Sequence, residues 1–245
     1  MSSALKIALE EILRARRLRA DGPPLRGMGR SLAPLATGQS SVDALLQGGI
    51  PRGQVSEVHG PSSSGRTGLV LSLVARSTGD GVLAAWVDPA DRLDPASASA
   101  AGVELARLLW FRGEPRAPRG LANAVAAVGT LLGSGIFELV VLDLAGIPAC
   151  EVRRLPDNTW LRLQRMIEGI PVALVLVADA HIAHGPEGAS LALRPSGPSW
   201  SGASGPGRLL HGLRVEARVG RHTIRDSSMA HIKRQRRVEY YSSCV

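Results

Sequence analysis

Residues 59–70 read HGPSSSGRTGLV and decide how the rest of the chain is interpreted. Gly60, Gly65 and Thr67 fit the phosphate-binding pattern G-x-x-x-x-G-K-[ST], but Arg66 stands where the pattern has lysine. Backbone N–H groups and a helix N-terminus hold phosphate oxygens in such a loop, lysine contacts the outer phosphates, and the Ser/Thr hydroxyl binds magnesium. The match falls between a predicted strand and a predicted helix, as such a loop requires.

Arginine at position 66 changes what this loop can bind. Its guanidinium keeps the positive charge but is longer and planar, and it donates through a rigid fork, so it does not replace a compact ammonium group. We therefore expect nucleotide binding to be weakened or lost. Arg66 could instead be structural, pairing with Asp143 or another carboxylate and filling the phosphate space. Gly60, Ser62, Gly65, Arg66, Thr67 and Asp143 together form the predicted degenerate nucleotide site.

Composition indicates one globular domain with short appendages. The chain has 245 residues, of which 44% are hydrophobic and 20% are charged. Its formal net charge of +8 suits an acidic partner such as nucleic acid. However, nearly all the basic residues are arginine, a bias that GC-rich coding alone produces, so direct DNA binding stays open.

No membrane, export or metal signal is visible in the sequence. The start lacks the order of a signal peptide, and no apolar run approaches the roughly 18 residues of a membrane helix. The two cysteines suggest no disulfide framework, and five histidines show no metal-ligand spacing supported by carboxylates. These histidines are His181, His184, His211, His222 and His231. We expect a cytoplasmic protein without a metal site.

The first 20 residues predict a separate amphipathic helix, because apolar residues recur close to the i, i+3, i+4 spacing. Residues 21–38 are rich in proline and glycine and predict a flexible linker. The helix could pack on its own domain or bind another molecule. The candidate partner-binding residues of its apolar face are Leu5, Leu9, Ile12 and Leu13.

Residues 39–225 predict an α/β core in which strands alternate with helices. Segments such as GVLAAWVD, FELVVLDLAG and PVALVLVAD are apolar on both faces, which favours a mostly parallel sheet flanked by helices. The second of these segments contains Asp143 at the end of its strand, where a magnesium-binding acid belongs. Residues 185–207 are too rich in glycine, proline and serine for regular structure, and a final strand or hairpin follows at 213–225.

Residues 226–245 predict a basic C-terminal tail. Its charge run could bind a protein partner or DNA, although charge runs at a terminus are usually only solvated. The candidate partner-binding residues are Lys233, Arg234, Arg236 and Arg237.

The order of these motifs resembles bacterial RecA from about residue 36 to about residue 219. The entry helix, first strand and phosphate loop match in register, and the pattern D-x-x-x-x-L-D-P follows at 88–95. This resemblance implies a RecA-like fold. It also exposes departures: Ala90 replaces the family's catalytic glutamate, so the general base is lost, and Ala178 with Asp179 replaces the Asn-Gln pair that senses the terminal phosphate. Asp91 is adjacent to the lost position, but its side chain should point elsewhere.

A RecA-like scaffold with these replacements is similar to the ImuA family, RecA-like accessory proteins of inducible mutasomes. The resemblance implies a pseudo-ATPase, with ATP or magnesium binding weak or absent, that works in damage-induced translesion DNA synthesis. The implied partners are ImuB, an error-prone DnaE-type polymerase and RecA itself, whose filament growth the N-terminal helix could limit. Two alternatives remain open: a RecA-like ATPase that retains weak ATP binding, and a cell division inhibitor like SulA.

Overall fold

The computed structural model describes residues 33–114, 119–183, 188–202, 205, 207–220 and 237–243. The predicted N-terminal helix with its four apolar candidates, most of the predicted linker, and Lys233, Arg234 and Arg236 lie outside these residues. Across the described ranges, no helix has both the length and the apolar character that crossing a membrane requires.

Helices and strands alternate through the first two thirds of the described chain, as the sequence predicts. The helices are α1 (Ser40–Leu45), α2 (Arg66–Gly79), α3 (Pro95–Ala100), α4 (Gly120–Gly133), α5 (Ala149–Val152) and α6 (Thr159–Ile167). The strands are β1 (Val55–His59), β2 (Ala84–Asp88), β3 (Leu108–Arg112), β4 (Leu139–Asp143), β5 (Ala173–Ala178), β6 (Ser190–Ser201), β7 (Leu209–Gly220) and β8 (Arg237–Ser243).

All eight strands join one sheet in the order β3-β2-β4-β5-β1-β6-β7-β8. Pairing is parallel from β3 to β6 and antiparallel from β6 to β8. Every residue of β2, β4 and β5 is buried, because an apolar cluster covers each face of the sheet. This confirms the predicted mostly parallel sheet flanked by helices, and it brings the carboxyl ends of β1, β2, β4 and β5 to one edge.

The prediction of irregular structure over residues 185–207 was wrong, because β6 occupies Ser190–Ser201. The strand β1 pairs with β6 only up to Ala192, so beyond that residue no strand of the described part of the chain pairs with this edge of β6. Proline is tolerated on such an edge because no ladder donor is lost there. The pairing of β6 with β7 shifts register at Pro195/Gly197 and at Ser199/Trp200. These β-bulges accommodate proline and glycine without ending the strand.

The sheet extends past residue 225, where the sequence reasoning placed the end of the core. The strand β8 pairs antiparallel with β7 along its whole length. Tyr240 is buried at 4% exposure against the core, whereas its neighbour Tyr241 is 65% exposed, as alternation along a strand requires. Arg237, a predicted partner-binding residue, lies 3.4 Å from the Glu216 carboxylate.

Replacing Tyr240 tests whether β8 stabilises the core. Tyr240→Ala is expected to lower the free energy of unfolding by about 3 kcal/mol, because it removes a buried aromatic ring. Tyr241→Ala is the matched control and should change it by less than about 0.5 kcal/mol. Urea denaturation followed by circular dichroism measures both. Equal effects of the two substitutions would contradict the placement of β8 in the sheet.

Candidate functional site

The phosphate-type loop connects β1 to α2 at the carboxyl edge of the sheet. Two glycines allow it to lie close to the neighbouring strands. A Cβ on Gly60 would overlap the Leu193 carbonyl oxygen, and one on Gly65 would lie 2.8 Å from the Val215 side chain. Gly65 also has φ of 83°, a left-handed conformation that favours glycine. The loop geometry therefore depends on the same two glycines that the sequence motif singled out.

Arg66 is the first residue of α2, and its side chain is buried. Its guanidinium forms a bridge between the start of the loop and the segment that follows β5. One terminal nitrogen donates to the Gly60 carbonyl oxygen at the start of the loop. The other lies 2.5 Å from an Asp179 carboxylate oxygen, just beyond the end of β5. The sequence allowed Asp143 or another carboxylate as the partner of a structural Arg66, and the structure shows that the partner is Asp179.

Asp143 ends β4 at the same edge and is only 7% exposed. One of its carboxylate oxygens accepts a hydrogen bond of 3.0 Å from the Ala145 backbone N–H. The pKa of Asp143 is raised to about 6, mainly by burial and also by the nearby Asp88, although the Ala145 hydrogen bond, Arg66 and Arg92 lower it. This carboxyl group consequently takes up a proton far more readily than an ordinary aspartate.

A cavity of about 420 Å³ lies between the loop and the ends of β2 and β4. It brings together five of the six residues predicted for the degenerate nucleotide site, namely Ser62, Gly65, Arg66, Thr67 and Asp143. The sixth, Gly60, contributes its carbonyl oxygen to Arg66. A hydroxyl and a carboxylate are ligand types that magnesium accepts, so Thr67 and Asp143 are the residues here that could hold that ion.

The segment after β2 is organised by Asp88, not by the residue that replaced the family's glutamate. One Asp88 carboxylate oxygen accepts hydrogen bonds from the backbone N–H groups of Arg92 at 2.7 Å and Leu93 at 2.8 Å. Ala90 lies in the turn that these bonds fix. Asp91 forms two hydrogen bonds of 2.8 Å with Arg112 on β3, which confirms the expectation that its side chain points away from the site.

The sequence did not predict a second cluster at this edge, because the search for metal-ligand spacing covered His181 and four other histidines but not His59. Glu57, His59 and His181 have ligand atoms that all lie within 4.8 Å of one another. The spacing hides this, because His181 is 122 positions from His59 and is brought back by the pairing of β1 with β5. His59 lies opposite Ala178 in that pairing, three residues before His181. The only sequence signal was the alternation Glu57-x-His59 along one strand.

Comparison with known proteins establishes the family. A profile described as the RecA N-terminal domain matches residues 27–165, more than half of the chain. The chain belongs to the RecA N-terminal domain family. Its relatives include the RecA proteins of Rubrobacter xylanophilus, 37% identical over 138 residues, and Chlorobium chlorochromatii, 36% identical over 139 residues.

These alignments cover a little over half of this chain, at 55% and 56%, but only 39% and 38% of the two RecA proteins. The chain thus spans about two fifths of the length of the curated relatives it matches. A crystal structure of the RadB recombinase superposes with a TM-score of 0.58 at 19% identity, covering 84% of this chain and 95% of that one. This likeness confirms the RecA-like fold.

The raised pKa of Asp143 predicts a pH-dependent stability for this RecA-family core. Folding favours the protonated carboxyl, so its contribution is complete below about pH 4 and is lost as pH rises through about 6. The unfolding free energy of the wild type, minus that of Asp143→Asn, should fall by on the order of 2 kcal/mol across this range. Urea titrations at a series of pH values measure the difference.

Asp91→Asn supplies a control of opposite sign for this titration. Arg112 lowers the pKa of Asp91 through a side-chain hydrogen bond, so the wild type should gain stability relative to this variant as pH rises. If the Asp143→Asn curve runs parallel to the wild type at all pH values, the assignment of a raised pKa to Asp143 is wrong.

Proposed function

We propose that this protein is a non-catalytic, RecA-like accessory factor of damage-induced translesion DNA synthesis. It acts through contacts with ImuB, with an error-prone DnaE-type polymerase and with RecA, and it does not turn over ATP. Membership of the RecA family supports the RecA-related part of this proposal. The observation that carries the loss of catalysis is the bridge made by Arg66 from the Gly60 carbonyl oxygen to Asp179.

The bridge supports the proposal because the guanidinium of Arg66, the cation of the loop, is bound to groups of the protein itself. Phosphate binding needs a cation whose donors face the ligand, but both terminal nitrogens of Arg66 already contact groups of this chain. Asp179 also places a carboxylate at the edge where a terminal phosphate would approach. The negative charges of the carboxylate and the phosphate would repel each other.

Ala90 supports the same conclusion independently. It lies in the turn after β2, where the resemblance to RecA places the catalytic glutamate. The nearest acidic neighbour in the sequence, Asp91, is engaged by both donor groups of Arg112. A water molecule in the cavity would therefore find no general base from this turn.

A RecA-like ATPase with weak ATP binding is the second candidate, favoured by the cavity that Thr67 and Asp143 still line. The two candidates differ in a simple measurement. Titration of the full chain with MgATP, followed by calorimetry and by phosphate release, is expected to show neither saturable binding nor turnover. Saturable binding with turnover that is lost in Asp143→Asn would establish the ATPase instead.

Restoring the family pattern at the bridge should restore nucleotide binding. In Arg66→Lys/Asp179→Gln the ammonium group is no longer held by a carboxylate, so we expect this variant to show the saturable MgATP binding that the wild type lacks. Arg76→Lys, a conservative change on the exposed side of the same helix, is the matched control and should, like the wild type, show no saturable MgATP binding. No gain in the double variant would show that the bridge is not what prevents binding.

The predicted N-terminal helix is the proposed contact with RecA. Leu9→Asp/Leu13→Asp in the full chain places charges on its predicted apolar face and should abolish capture of RecA in a pull-down. Capture of ImuB by the same variant should persist, which would show that the rest of the chain is still folded and able to bind. Glu10→Gln/Glu11→Gln alters the opposite face and serves as the control. Undiminished RecA capture by the Leu9/Leu13 variant would contradict the proposed contact.

A further inference from the structure

Three potential metal ligands converge beside the loop, at the carboxyl ends of β1 and β5. Glu57 and His59 are two positions apart on β1, so their side chains lie on the same face of the sheet. His181 follows the end of β5 and closes the group, with all three ligand atoms within 4.8 Å of one another. The two imidazole rings lie with their centroids 5.6 Å apart.

Glu57 is held as a preformed ligand. It is only 2% exposed, and one of its carboxylate oxygens accepts a 2.7 Å hydrogen bond from the Ile182 backbone N–H. The other oxygen lies 2.5 Å from Nδ1 of His181. A ligand oriented by a backbone hydrogen bond is typical of metal sites, where such support fixes the carboxylate geometry.

We propose that Glu57, His59 and His181 bind one divalent transition-metal ion of the zinc type. Two imidazoles and a carboxylate are a donor set that suits zinc, whereas magnesium and calcium prefer oxygen ligands alone. Three protein ligands leave a fourth tetrahedral position open to water or to a ligand from a partner.

The three ligand atoms must move by up to about 1.5 Å to accept the ion, since the separations among them reach up to 4.8 Å. Zinc–nitrogen and zinc–oxygen bonds of about 2.0–2.2 Å place tetrahedral ligand atoms about 3.3 Å apart. His181 and Glu57 would therefore separate by less than about 1 Å from their present 2.5 Å. The His181 side chain is 41% exposed, so it can rotate without disturbing the core.

An ion here would also hold the segment that carries Asp179. Asp179 lies two residues before His181 and pairs with Arg66. Metal binding fixes His181 to β1, and the chain between His181 and the end of β5 is fixed with it. The ion therefore stabilises the segment after β5 whose Asp179 pairs with Arg66.

The test uses the full chain stripped of metal and titrated with Co²⁺, followed by competition with Zn²⁺. We expect one Co²⁺ per chain with the strong visible absorption of a near-tetrahedral site, displaced by Zn²⁺. His59→Gln and His181→Gln should each weaken Co²⁺ binding at least tenfold and lose that absorption. His211→Gln replaces an exposed histidine of β7 and should bind Co²⁺ like the wild type.

Thermal unfolding separates loss of a ligand from loss of the fold. In excess chelator the two cluster variants should melt close to the wild type, and Zn²⁺ should raise the melting temperature of the wild type and the His211 variant only. If a variant does not fold, X-ray absorption of the Co²⁺-loaded wild type decides by counting the imidazole ligands. Absent Co²⁺ binding, or binding that the cluster substitutions leave unchanged, overturns the proposal and leaves Glu57–His181 as a plain hydrogen bond.

Discussion

Burial of β4, β5 and β1 side by side in a parallel sheet is the constraint on which the site depends. Each strand is covered on both faces, so most polar groups lie at the strand ends, and a polar group within a strand, such as Glu57 in β1, needs hydrogen-bond partners. Parallel pairing puts those ends at one edge, which is why Asp143, Asp179 and the loop after His59 lie together although they are far apart in sequence. The chemistry of the described site is therefore decided by the few residues at, and just beyond, the carboxyl ends of these strands.

The apolar strands and the loop could be predicted from sequence because their signals are local. Continuous apolar runs such as LVVLD predict buried parallel strands, and the glycines at 60 and 65 predict the loop geometry. The strand β6 could not be predicted in this way. Its prolines and glycines disfavour a strand, and they are tolerated because β7 supplies pairing on one side while, among the described strands, β1 pairs with the other side only up to Ala192. Tertiary pairing overrode local propensity there.

The pairing of particular charged residues could not be predicted from the sequence either. The sequence suggested Asp143 or another carboxylate for Arg66, and the pairing of β1 with β5 brings Asp179 to within 2.5 Å of it. The cluster of Glu57, His59 and His181 has the same origin, since one strand pairing creates it from residues more than a hundred positions apart. Strand pairings between residues so far apart produce no periodic pattern in a single sequence, so they could not be predicted from it.

The competition between two carboxylates for one guanidinium explains the electrostatics of the edge. A buried cation must be compensated, and Arg66 is compensated by Asp179 and by the Gly60 carbonyl oxygen. Asp143 is left without a direct ion pair to Arg66, so desolvation dominates and raises its pKa to about 6. A proton can then neutralise Asp143 where a cation otherwise would. Changing Arg66 to lysine alone would leave Asp179 free to capture the new ammonium group, which is why recovery of phosphate binding should require both substitutions.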